Sequence, residues 1–317
     1  MKQVTTILAI LVGFTMNAQL ESVTENSKTG QRLTVSLAAN HGDIGSNAVD
    51  LSYSNSVSTT RGATGTASTA MGYKTTASGN YSTAIGDNSF ATGTASTAIG
   101  SYTTASGYRS TAMGDGTSST DYASLTIGRY NSVNKTLTAG GNATLFDIDN
   151  AAFVIGNGTL WNATSDAFVV YFNGNATLAG DLTINSDERL KDNIQPLGST
   201  LDKLHQIEGK TYSFKKDEEH TPKIGVLAQE VQLVFPELVT EGADGILSVN
   251  YQGLVPVLIN AINEQEVKMS EQDAKIAALE AQNEQLAIAS QKIAALEEMV
   301  RVLAVQQSQT TSSVAAN

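Results

Sequence analysis

GTASTAMGYKTTAS (residues 65–78), GNYSTAIGDNSFAT (79–92), GTASTAIGSYTTAS (93–106) and GYRSTAMGDGTSST (107–120) follow one another without a gap, and DYASLTIGRYNSVN (121–134) continues the phase. Met71, Ile85, Ile99, Met113 and Ile127 occupy one position of this fourteen-residue period, and Gly72, Gly86, Gly100, Gly114 and Gly128 follow them. A flexible Gly/Ser/Thr linker has no reason to hold an apolar residue at a fixed phase, so the repetition reads as stacked coils. Each coil looks like two short strands and two turns, with glycine where a Cβ would clash. Thr69 and Met71 share one strand face. The reading points that face inward, together with Ala77 and its equivalents Ala91, Ala105, Ser119 and Val133. So few small inward side chains cannot offset the ordering entropy of one coil; stacking, and association of several chains, must bury more.

These residues, about 61–134, resemble the head repeats of trimeric autotransporter adhesins, the YadA-like left-handed β-roll. That family usually has Val where this chain has Thr69, Thr83, Thr97 and Thr111; Thr keeps the shape and makes the core less apolar. The resemblance implies a homotrimer of parallel chains. Tyr73, Tyr81, Phe90, Tyr102, Tyr108, Tyr122 and Tyr130 fall outside the inward positions. They offer either a surface for a receptor or glycan, or turn packing and contacts between chains.

Outward from the repeats, composition narrows the function classes. Among 317 residues, Gly is high at 27, Pro low at 4 and charge only 16 %. A net charge of −12 argues against a nucleic-acid partner. There is no Cys, and His41, His205 and His220 lack ligand spacing, so neither cofactor nor metal is expected. Lys2, the apolar run Ile7–Phe14 and Met16-Asn17-Ala18 read as a signal peptide over 1–18, which implies a secreted or cell-surface protein. An N-terminal segment, 19–60, precedes the repeats.

Downstream, 135–185 reads as a β connector with strands at Phe153–Ile155, Phe168–Phe172 and Leu182–Ile184, and turns at Gly156–Gly158 and Asn173–Asn175. From Ser186 the sequence turns charged and helix-compatible. A strand over Lys223–Ala228, a helix from Gln229 ended by Phe235-Pro236, a strand over Ile246–Tyr251 and a helix from Leu254 follow. Met269, Ile276, Leu279, Leu286, Ile293, Leu296, Val300 and Leu303 form a coiled-coil seam over 263–305, with Asn283 and Ser290 in it and a stammer between the two KIAALE segments. A flexible tail is expected over 306–317. The fold class is therefore mainly β: a β-roll head, a β connector, a small α/β domain over 186–262, and a coiled coil.

Ser186 and Lys191 are the one candidate pair for nucleophilic chemistry. A Ser needs a base, and a Lys can serve where desolvation keeps it neutral. On a regular helix five residues rotate by about 140°, which does not aim the two at each other. On residue types alone, Ser186 or Asp187 is a plain helix cap. However, the order SDERLKDNI, GVLAQEVQLVFPELV, LSVNY and then a helix resembles the C-terminal intramolecular-chaperone domain of phage tail spikes and endosialidases, related to that of the myelin regulatory factor. The resemblance implies a domain that trimerises, helps the upstream fibre fold, and cuts itself off. It places Ser186 and Lys191 on the self-cleaving Ser–Lys pair, with cleavage between Asn185 and Ser186. Two alternatives are a spike-type hydrolase on an external polysaccharide, for which no paired carboxylates are evident, and a prophage tail fibre without a true signal peptide.

Overall fold

The computed structural model describes residues 20–133, 136–215 and 220–314, with side chains to 306; the expected signal peptide lies outside the described residues. The chain divides into two compact units that meet between Asn185 and Ser186.

The first unit is a β-solenoid. Strands Thr69–Tyr73, Thr83–Asp87, Thr97–Ser101, Thr111–Asp115 and Leu125–Arg129 stack in parallel, each residue opposite its equivalent fourteen positions on. Two-residue strands at Gly62–Ala63, Thr76–Ala77, Phe90–Ala91, Thr104–Ala105 and Ser118–Ser119 form the opposite wall. The stack extends beyond the legible repeats. Lys28–Leu33 and Val49–Tyr53 join it upstream, and Ala151–Asn157 joins it downstream after a long excursion; this strand pairs Gly156 and Asn157 with Gly128 and Arg129, where a turn was expected over Gly156–Gly158. The antiparallel strands Asp166–Tyr171 and Ala176–Leu178 then complete an eleven-stranded sheet. The strand expected at Leu182–Ile184 is absent; Ala176–Leu178, just after the Asn173–Asn175 turn, supplies the pairing instead.

The inward phase differs from the sequence expectation by one residue. Ala70, Ala84, Ala98 and Ala112 are fully buried, facing Ala63, Ala77, Ala91 and Ala105 of the opposite wall. Met71 and Met113 are exposed, and Ile85, Ile99 and Ile127 half-buried. Alternation puts 69 and 71 on one side and 70 on the other, but does not say which side is inside. Two walls this close leave room only for small side chains, the alanines together with buried Ser82, Ser96 and Thr103, so the larger apolar residues turn outward. Ala77, Ala91, Ala105 and Ser119 are buried as expected, whereas Val133 is half-buried against the cluster of Ala151, Val154 and Val169.

Glycine permits the close stacking of successive coils. Gly100 has φ +133°, and a Cβ there would lie 2.0 Å from the Gly114 carbonyl oxygen. Non-glycine corners also adopt positive φ, at Ala67, Tyr81, Ala95, Arg109 and Ala123. The aromatics pack along these corners: Tyr108 stacks on Tyr122 at 5.6 Å, and the Arg109 guanidinium lies 5.0 Å over Tyr108. In the last coil Asp121 replaces the corner glycine. Its buried carboxylate accepts from Thr138 N at 2.8 Å and Ala151 N at 2.8 Å, tying the middle of the excursion to the start of the strand that follows it.

The N-terminal coil has an ionic interior. Arg32, fully buried, donates to Glu25 at 2.7 Å and to the Gly42 carbonyl at 2.9 Å. Asp50, also buried, accepts from Ser52 Oγ at 2.6 Å and lies 3.0 Å from His41 Nδ1. Burial pushes the Asp50 carboxyl up, but the bonds from His41 and Ser52 and the charge of His41 outweigh it, leaving it below the ordinary range. Glu25 is likewise lowered: burial opposes, while Arg32 and the Ile44 N–H prevail.

The second unit packs helices α1 (Leu201–Leu204), α2 (Ala228–Val234) and α3 (Leu254–Val314) with two hairpins, Lys210–Tyr212 with Lys223–Gly225 and Val239–Glu241 with Leu247–Val249. Its core is Val231, Phe235 and Val257, with Leu204, Ile207, Val226 and Leu238 against it. Phe235-Pro236 ends α2, as expected. The strand expected over Lys223–Ala228 is shorter, because α2 begins at Ala228. α3 fits a coiled coil: Met269, Ile276, Leu279, Leu286, Ile293, Leu296, Val300 and Leu303 are all exposed along it. It continues to Val314, through the region expected to be a flexible tail.

Candidate functional site

Ser186 opens the second unit. The expected helix after it is a single 3₁₀ turn, Glu188–Leu190. Asp187 caps that turn, accepting from Arg189 N at 2.9 Å, and its carboxylate also grips the Arg189 side chain at 2.6 Å. The Arg189 bonds hold the Asp187 carboxyl below its ordinary range. Capping therefore falls to Asp187, which leaves the Ser186 hydroxyl for another partner. Lys191, the first extended residue after the turn, supplies it: Lys191 Nζ donates to Ser186 Oγ at 2.7 Å. The tight turn thus brings together two side chains that a regular helix would splay apart. Both are exposed. Gln229, whose role the sequence left open, is exposed at the start of α2.

The strap from Ser186 to Ser199 is exposed throughout; Thr200 is its first buried residue. There α3 takes hold. The Glu264 carboxylate accepts from Thr200 N at 2.7 Å, Leu201 N at 3.2 Å and Ser199 Oγ at 3.0 Å. Asn260 Nδ2 donates to the Gly198 carbonyl at 2.6 Å and to Glu264 at 2.9 Å. The Thr200 N–H above all, with Leu201 N and the Ser199 and Thr200 hydroxyls, lowers the Glu264 carboxyl against a smaller opposing effect of burial. Sequence reading missed these two residues. Their four-residue spacing on one helix face is legible, but the turn they hold lies about sixty residues upstream.

Comparison with known proteins agrees with this division. Residues 63–89 and 91–117 match two copies of the YadA head domain repeat, and residues 186–240 match the family described as Chaperone of endosialidase. The chain is 34 % identical over 121 residues to the long tail fiber protein Gp37 of Escherichia phage AR1, covering 34 % of this chain and 11 % of the relative. It is 31 % identical over 158 residues to Gp37 of Enterobacteria phage K3, covering 45 % and 13 %. To Gp37 of Salmonella phage S16 it is 33 % identical over 109 residues, covering 32 % and 15 %. The chain therefore spans only a small part of these curated relatives' length. The chain is similar to phage long tail fibre proteins over these segments, and its sequence matches YadA-type head repeats followed by a chaperone-of-endosialidase domain.

Proposed function

We propose that this chain forms an exported, homotrimeric fibre, adhesin-like or tail-fibre-like, whose domain over 186–262 assists assembly and then cuts the Asn185–Ser186 bond. The observation that carries the cutting is the 2.7 Å hydrogen bond from Lys191 to Ser186, at the boundary between the two compact units.

In this reading Lys191 takes the hydroxyl proton while Ser186 Oγ bonds to the Asn185 carbonyl carbon. The peptide C–N bond then breaks as the Ser186 nitrogen receives that proton, leaving an ester between Asn185 and the Ser186 oxygen. Water hydrolyses the ester, giving a carboxylate on Asn185 and restoring the hydroxyl. Only a neutral Lys can act as base. Both side chains are exposed in one chain, so the required desolvation is supplied by neighbouring chains, and cutting reports assembly.

Two unpartnered apolar features support a trimer. One is a register line across the sheet: Leu51, Met71, Ile85, Ile99, Met113, Ile127, Ile155, Phe168 and Leu178 are successive cross-strand neighbours on the outer face. The other is the exposed α3 seam. A single chain leaves both in water, whereas association buries them. Work outside the cell or on a virion surface follows from the kind of protein the chain resembles.

Intact mass of purified protein tests the cutting. Wild type gives a released fragment of 317 − 185 = 132 residues; Ser186→Ala and Lys191→Ala each give one full-length chain. A wild-type trimer that stays uncut refutes it.

A further inference from the structure

We propose that Asn260 and Glu264 are the positioning pair for self-cleavage, clamping the Gly198–Leu201 turn from helix α3 and so holding the strap that carries Ser186 and Lys191. The inference rests on the self-cleavage reading above and adds how the site is held and what governs it.

The strap needs an anchor. Fourteen successive residues, 186–199, are exposed, so burial does not define its path. α1 is four residues long and cannot sustain itself. Its N-cap residue, Thr200, makes no capping bond of its own. Glu264 supplies that cap from another helix, receiving the Thr200 and Leu201 N–H groups that start α1. Asn260, one turn earlier on α3, takes the Gly198 carbonyl and also reaches the Thr200 hydroxyl at 3.1 Å. Both residues reach the turn only when α3 is formed across 260–264, because helical geometry alone puts them on one face. Ile262, exposed between the two, lies one heptad before the first seam residue, Met269, on the same continuous helix. Helix formation in the seam and fastening of the strap are thereby coupled. A strap held at one end samples fewer conformations, which raises the fraction with Ser186 in position to attack.

The experiment uses the full chain. Self-cleavage is followed by gel as a single-turnover rate in wild type, Glu264→Ala, Glu264→Gln and Asn260→Ala. Hydrogen exchange is measured in the uncut Ser186→Ala background with and without Glu264→Ala. Expected are cleavage at least about tenfold slower in Glu264→Ala, partial rescue in Glu264→Gln, which keeps one acceptor oxygen, and unchanged melting temperature and assembly mass. Exchange protection is lost at Thr200 and Leu201 and retained over 228–249. Should Glu264→Ala not fold, Asn260→Ala and Ser199→Ala, which leave the carboxylate in place, carry the test with smaller slowing. Cleavage at the wild-type rate in all variants overturns the positioning role alone, and Thr200 and Leu201 amides equally protected without the carboxylate overturn the clamp. A wild type that stays uncut while those amides lose protection overturns the self-cleavage reading and the positioning role together, reducing the pair to a helix cap.

Discussion

Ala98 and Ile99 sit side by side in one strand and answer to different environments. Ala98 is fully buried between the two walls of its coil, while Ile99 projects from the outer sheet face. An aspartate at 98 would put an unpaired carboxylate in a narrow space filled by small side chains, costing roughly 3 kcal/mol or more. We expect Ala98→Asp to melt the β signal of the neighbouring coils in circular dichroism. The outward side is read by cross-linking, and the native chain has no cysteine to interfere. Ile99→Cys should form interchain disulfides on mild oxidation. Ala98→Cys should stay unreactive until the coil unfolds. An inert Ile99→Cys, or a freely oxidised Ala98→Cys, would reverse the assignment. The period and the glycine positions were legible because each repeats without insertion. The inward phase was not, because hydropathy favours Ile over Ala and only the distance between walls decides the matter.

The N-terminal coil is the element whose stability depends on charge. Asp50 and Glu25 are both lowered from ordinary carboxyl values, each against an opposing effect of burial. A depressed folded-state value means that this stabilisation is fully present above the unfolded-state value, near pH 4, and is lost as pH falls through the lower folded value. Hydrogen exchange over 20–63 should therefore accelerate below about pH 4, before exchange over the alanine-filled coils 69–112 changes. Asp50→Asn should loosen the same segment at neutral pH by roughly 3 kcal/mol, since it leaves buried Arg32 and His41 without their shared anion. Uniform acid sensitivity along the whole solenoid would exclude this. None of it was legible from the sequence, because Glu25, Arg32, His41 and Asp50 follow no motif and meet only through the fold. The Ser186–Lys191 pair is the converse case. Its spacing argues against contact on a helix, and the contact exists because a 3₁₀ turn capped by Asp187 replaces the helix.

Over the whole molecule, each unit leaves one long apolar feature without a partner in the single chain. The first presents the outward line from Leu51 to Leu178, and the second presents the α3 seam from Met269 to Leu303. In the proposed trimer three parallel chains would bury both, and the same assembly would complete the site at Ser186. The division at Ser186 was legible because the sequence turns charged and helix-compatible there. The extra strands at Lys28–Leu33 and Ala151–Asn157 were not, since they join the stack without the fourteen-residue spacing. The most direct test is the solution mass of the uncleavable Ser186→Ala protein by multi-angle light scattering. A trimer gives three times the single-chain mass, 33.2 kDa for the full sequence, held over a range of dilutions; a stable monomer or dimer mass rules the trimer out.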